Sequence, residues 1–166
     1  IELMPENPQY RMSRGDVYAC MNEVEKSLED YNTAINLDAG NDLYYYKRGN
    51  LYQFLEKNNL ALTDYLKAIR LNAYASDYYC ARGDIYYQMG EYGMALQDYK
   101  QAIDLDPTDA NVYVCRANLY IDTEQYENAL EDYNKAIEID DSNPLFYTNR
   151  ANVLQHLGRK NEAVND

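Results

Sequence analysis

The chain has 166 residues, with 28 Asp and Glu against 15 Lys and Arg and a net charge of −13. That balance argues against nucleic acid, whose phosphates require clustered Lys and Arg, and against anionic membrane surfaces. Neutral or basic proteins are left as natural partners. No apolar run approaches the roughly 20 residues that span a bilayer, so membrane insertion is not expected. Cys20, Cys80 and Cys115 are odd in number and lack a CxxC spacing, so neither a disulfide framework nor a zinc site is indicated. Free thiols tilt the compartment toward the cytoplasm.

In chain order, Ile1, Leu3 and Pro5 match Ile103, Leu105 and Pro107 in register, so residues 1–7 read as the tail of a preceding repeat. The chain is accordingly read as part of a longer array. Units then run over 8–41, 42–75, 76–109 and 110–143, with a partial unit over 144–166. One motif keeps the register: Asp30-Tyr31 with Ala34, Asp64-Tyr65 with Ala68, Asp98-Tyr99 with Ala102, and Asp132-Tyr133 with Ala136. A fixed period of this length means a helical hairpin stacked on copies of itself, an all-α solenoid.

Each unit reads as two helices. In the third copy the first runs from about Asp77 to Met89 at three- and four-residue apolar steps, and Gly90-Glu91 breaks it. The second runs from about Gly93 to Leu105, and Pro107 stops it. Gly15, Gly49, Gly83, Ala117 and Ala151 share one slot, expected where the two helices approach closely, because glycine inside a helix costs about 1 kcal/mol. Ser27, Ala61, Ala95, Ala129 and Ala163 hold the facing slot. Tyr31, Tyr65, Tyr99 and Tyr133 are expected to pack on the next unit's first helix.

Tyr79, Gly83, Tyr86, Gly90, Tyr92, Ala95, Tyr99, Ala102 and Pro107 together resemble the tetratricopeptide repeat (TPR) family, and the resemblance spans essentially the whole chain. It implies a right-handed superhelical solenoid of antiparallel helix hairpins. Ala39, Ala73 and Asp141 depart from the terminal Pro, and Glu56-Lys57-Asn58 from the Gly-x-Tyr turn, which bears on turn geometry and not on the fold.

One slot is unusual for that family. Arg14, Arg48, Arg82, Arg116 and Arg150 precede the small residue, and Asp30, Asp64, Asp98, Asp132 and Asp166 recur across the hairpin. Matched slots predict bidentate ion pairs within each unit, in preference to an arginine ladder for an acidic ligand.

The resemblance also implies a concave groove lined by the first helices, which holds a peptide. Its ninth slot reads Asp16, Asn50, Asp84, Asn118 and Asn152, side chains able to bond an extended backbone. An apolar strip of Leu43, Tyr46, Phe54, Tyr87, Val114 and Ile121 is flanked by Asp16, Asp77, Asp84 and Asp122, with Lys47 as the opposing charge. Such a surface suits a protein or peptide with apolar anchors and basic flanks. The two-carboxylate clamp of some TPR co-chaperones needs Lys in the fifth slot, which here holds Met12, Tyr46, Cys80, Val114 and Thr148.

Catalysis finds little support. His156 is read as a groove-lining polar residue, and no phosphate loop, metal cluster or cofactor motif appears. The leading reading is a non-catalytic scaffold. The alternatives are an array that self-associates through its open ends, and a substrate-recruiting arm of a larger enzyme.

Overall fold

The computed structural model describes residues 6–164, which hold ten α-helices. These are α1 (Pro8–Cys20), α2 (Val24–Leu37), α3 (Asp42–Phe54), α4 (Asn58–Leu71), α5 (Ser76–Gln88), α6 (Tyr92–Leu105), α7 (Ala110–Asp122), α8 (Tyr126–Ile139), α9 (Pro144–His156) and α10 (Lys160–Ala163). Every unit contributes a hairpin, and the third begins one residue earlier in each helix than the sequence pattern suggests. The helices group into two compact units, Ile1–Ile85 and Tyr86–Asp166. The motif residues Ile1, Leu3, Pro5 and Asp166 lie outside the described residues.

Local signals set the boundaries. Asn7, Asn41, Asp109 and Asn143 each accept a backbone N–H two residues on and so cap α1, α3, α7 and α9. The hairpin turn is the same in every copy. Glu23 N–H reaches Tyr18 C=O at 2.8 Å and Asn22 N–H reaches Ala19 C=O at 3.0 Å, a Schellman closure. It recurs at Lys57 to Tyr52, Glu91 to Tyr86, Gln125 to Tyr120 and Arg159 to Leu154. Its left-handed position is glycine at Gly90 and Gly158, but Asn22, Glu56 and Glu124 adopt φ near 57° in the same place. The departure at Glu56 therefore leaves the turn geometry intact, at a local backbone cost.

In the first unit, α2 packs on both α1 and α3, and α3 packs on α4. Ala34 and Ile35 of α2, Tyr44 and Tyr45 of α3, Ala68 of α4 and Tyr78 of α5 form one buried cluster. Ala61, Tyr65 and Ile85 form another, so Tyr65 does reach the next repeat's first helix, as expected. In the second unit Ala110, Tyr113, Ala136 and Phe146 do the same work.

The glycine slot marks a close approach within the hairpin, as expected, and the second helix's tyrosine ring is the nearest neighbour there. A Cβ on Gly15 would stand 2.8 Å from Tyr31 Cε1, and one on Gly49 would stand 2.7 Å from Tyr65 Cε1. The space is taken first by the tyrosine ring of the same hairpin, with the Ser27 backbone oxygen 3.4 Å away at Gly15. At the facing slot, Ser27 Oγ donates to Gly15 C=O at 2.8 Å.

The Arg and Asp slots pair as anticipated in the first, second and fourth repeats. Arg14 Nε and Nη2 donate to the two Asp30 oxygens at 2.6 and 2.7 Å. Arg48 does so to Asp64 at 2.8 and 2.7 Å, and Arg116 to Asp132 at 2.8 and 2.6 Å. The guanidinium carbons of Arg48 and Arg116 each lie within 6.0 Å of two ring centroids, Tyr45 and Tyr52 or Tyr113 and Tyr120. Arg48 also donates to Asn32, and Arg150 to Asn134, each on the preceding second helix, so the slot ties adjacent repeats together. Arg82 lies over the Tyr79 ring in the first unit and Asp98 is buried in the second.

The carboxylates respond to their surroundings. Burial pushes the Asp30 carboxyl up, but Arg14 and Arg11 together outweigh it and hold the group below the usual range. Asp132 faces a single arginine, and burial keeps its carboxyl raised despite Arg116.

Candidate functional site

In the first unit the expected groove residues fall in two clefts on either side of α3. The larger, about 380 Å³, lies against α1 and is lined by Asp16, Ala19, Cys20, Tyr31, Lys47, Asn50, Leu51 and Phe54. Its rim is Phe54, whose ring is 71% exposed. The second, about 280 Å³, faces α5 and is lined by Tyr46, Asn50, Gln53, Asp77, Cys80, Ala81 and Asp84. Asn50 belongs to both. Leu43 is exposed at the start of α3, outside the lining of either cleft.

The ninth slot is busier than its sequence implies. Tyr31 Oη donates to Asp16 at 2.6 Å, Tyr65 Oη to Asn50 at 2.8 Å, and Tyr133 Oη to Asn118 at 2.6 Å. The side-chain oxygens are thus engaged from below by the motif tyrosine. The amide N–H groups of Asn50 and Asn118 are the remaining donors of this slot, and Asn50 already spends one on the Tyr46 hydroxyl. The tyrosines respond in kind. Burial first, then the Asp16 carboxylate, raises the Tyr31 hydroxyl far above its ordinary value. Burial raises Tyr133 to about 12.

Two further groove residues belong more to the packing than to an open surface. Tyr46 lies 4.7 Å from the Tyr78 ring and 6.0 Å from Tyr65, centroid to centroid. Val114 packs against the Ala110–Phe146 cluster. Charges also find partners. Lys47 Nζ reaches Asp16 at 3.4 Å, and Tyr87 Oη donates to Asp122 at 2.6 Å. In the second unit Ile121 is half-buried, and Asn152 is exposed on α9. His156 stacks parallel on Tyr126 at 4.7 Å, an aromatic contact with the adjacent hairpin helix that its sequence position did not reveal.

Of the residues expected to line one groove, Asp16, Lys47, Asn50 and Phe54 line the first cleft and Tyr46, Asn50, Asp77 and Asp84 the second. The sequence reading missed Gln53, whose Oε1 lies 2.6 Å from Tyr65 Oη and shares its one proton with Asn50, and Ala19, Cys20 and Leu51, which complete the apolar wall. Three-residue spacing from Asn50 to Gln53 on one helix face was the available signal. No described helix is long and apolar enough to cross a membrane.

Comparison with known proteins follows the same pattern. A family model described as "TPR repeat" matches residues 15–54, 83–121 and 117–158, and one described as "Tetratricopeptide repeat" matches 43–74. Among solved structures, a MamA protein superposes with a TM-score of 0.84 at 22% identity, over 98% of this chain and 88% of that one. Pseudomonas aeruginosa pilF gives 0.87 at 17% identity, over 95% and 72%. YrrB, described as a TPR protein with an unusual peptide-binding site, gives 0.76 at 20% identity, over 98% and 84%. No curated protein sequence matches the chain.

Proposed function

The chain belongs to the tetratricopeptide repeat family, and we propose that it is a non-catalytic module that scaffolds a complex by holding a partner segment against its first helices. An array of this family is a protein–protein interaction scaffold in general terms. The finer reading is supported by one observation, the pair of clefts that meet at Asn50. The cleft beside Phe54 offers apolar wall from Ala19, Leu51 and Phe54 for an anchoring side chain. The cleft beside Asp77 and Asp84 offers carboxylates for a basic flank. Asn50 stands between them with an amide N–H for a backbone carbonyl. YrrB, a similar fold, is itself described as having a peptide-binding site.

Selection from a random-peptide display library tests this. Sequences with an apolar anchor next to Lys or Arg are expected, and Phe54→Asp should weaken them by about tenfold or more, as loss of a central apolar contact does. Phe54 is chosen because its ring is exposed, whereas charging Tyr46 would damage the core. Selected peptides that bind Phe54→Asp as tightly as the native chain would remove the site from this face.

A further inference from the structure

The two clefts that flank α3 suit different side chains. The first balances its own charge, because Lys47 Nζ lies 3.4 Å from Asp16, and its wall includes Ala19, Leu51 and Phe54. The second is lined by Asp77 and Asp84, with no Lys or Arg among its described lining residues. Burial raises the Tyr46 hydroxyl there, and the two carboxylates add to the rise against a hydrogen bond from Asn50. An apolar side chain therefore fits the first cleft and a cation the second.

Only α3 separates the clefts, so their centres lie about one helix width apart, roughly 10 Å. That distance sorts the backbone conformations a ligand could use. A β-strand at about 3.3 Å per residue brings side chains to one face at about 6.6 or 13 Å. Polyproline II, with about three residues per turn and a rise of about 3.1 Å, brings residues i and i+3 to one face about 9 Å apart. An α-helix matches the distance at i and i+7, about 10.5 Å, but its backbone does not match Asn50. That residue accepts from Tyr65 and spends one N–H on Tyr46, which leaves one N–H to donate between the clefts. Carbonyls in the middle of a helix are already bonded to N–H groups further along. Those of polyproline II have no internal partner.

Resting on the peptide reading above, we infer that the partner segment crosses α3 in the polyproline II conformation. It places an apolar residue in the cleft beside Phe54 and a Lys or Arg three positions away in the cleft beside Asp77 and Asp84. Proline suits the two positions between them, because its ring presets the required φ and no ligand N–H is called for there. The Asn50 N–H then meets a carbonyl of that intervening stretch.

Fluorescence anisotropy of labelled synthetic peptides with the whole chain tests this. Each peptide carries one Leu and one Arg, set two, three, four or seven positions apart, in a Pro- and Ser-rich host and again in an Ala-rich helical host. The Pro-rich peptide with a spacing of three is expected to bind tightest, and exchanging its Arg for Glu should weaken it about tenfold. Asp77→Lys, at an exposed position of α5, should invert that preference, so that the Glu peptide binds better than the Arg peptide. Circular dichroism confirms that the variant stays helical. Tightest binding in the helical host at a spacing of seven overturns the inference. So does binding that Phe54→Asp weakens but that ignores the spacing; both results keep the peptide site. If no peptide of the series binds while display-selected peptides do, the inference falls and the site stands. Binding that Phe54→Asp leaves unchanged removes both.

Discussion

Replacing Arg48 by Leu is predicted to cost about 3–5 kcal/mol, the cost of orphaning a buried carboxylate. The size follows from the site. Asp64 is 3% exposed and takes both of its ionic hydrogen bonds from Arg48, at 2.7 and 2.8 Å. With the guanidinium gone, water cannot reach the carboxylate to compensate. The double replacement Arg48→Leu with Asp64→Leu removes the orphan and should cost distinctly less, leaving a coupling of about 2 kcal/mol or more. Loss of the Arg48 hydrogen bond to Asn32 and of its contacts with Tyr45 and Tyr52 keeps the double variant below the native chain. Urea unfolding followed at 222 nm gives the four free energies. If the single change destabilises no more than the double, the pairing does not organise the hairpin.

Acid should act on the first unit through Asp30. Its folded pKa is lowered, so its stabilisation is full above the ordinary carboxylate value near 4 and is lost as pH falls through the lowered one. Asp30→Asn should flatten that acid limb in a melting-temperature series. At the alkaline end Tyr31, Tyr65, Tyr78 and Tyr87 are raised well beyond the ordinary value near 10. Their contribution is complete below that value and is lost as pH rises through the folded ones. Absorbance at 295 nm should therefore show part of the tyrosine set ionising only with unfolding. Gly49→Val should cost about 3 kcal/mol, since its first side-chain carbon would meet a Tyr65 ring that Asn50 and Gln53 hold in place. Glu56→Gly should instead stabilise by up to about 1 kcal/mol, by relieving a left-handed residue at φ 56°. Gly90→Glu should do the reverse.

Periodicity made the fold legible because each slot is sampled several times. A lone Tyr or Gly says little, but Gly15 and Gly49 with Tyr31 and Tyr65 at a constant spacing announce a shared steric need. The Arg and Asp slots were readable for the same reason: coupled recurrence marks contact. What the pattern could not show is direction. The motif tyrosines were expected to face the next repeat, and Tyr65 does so, but the rings of Tyr31 and Tyr65 also fill the glycine slots of their own hairpins and the Tyr31 hydroxyl lands on Asp16. Slot position alone does not show that one ring serves both neighbours. The same limit affects the candidate site. Lys47 and Asp16 answer one another, as do Tyr87 and Asp122, and those pairings join different repeats. Cleft walls such as Ala19 and Leu51 carry no chemical signature and emerge only when α1 and α3 are placed side by side. His156 was assigned to the groove by register, but its neighbour Tyr126 comes from another helix.

The most direct test of the central claim is amide chemical-shift mapping with a display-selected peptide titrated into the labelled chain. Partner capture by the first helices predicts that perturbations cluster at Asp16, Ala19, Lys47, Asn50, Gln53, Phe54 and Asp84. Perturbations confined to the outward residues of α2 and α4, with those positions unmoved, would contradict it.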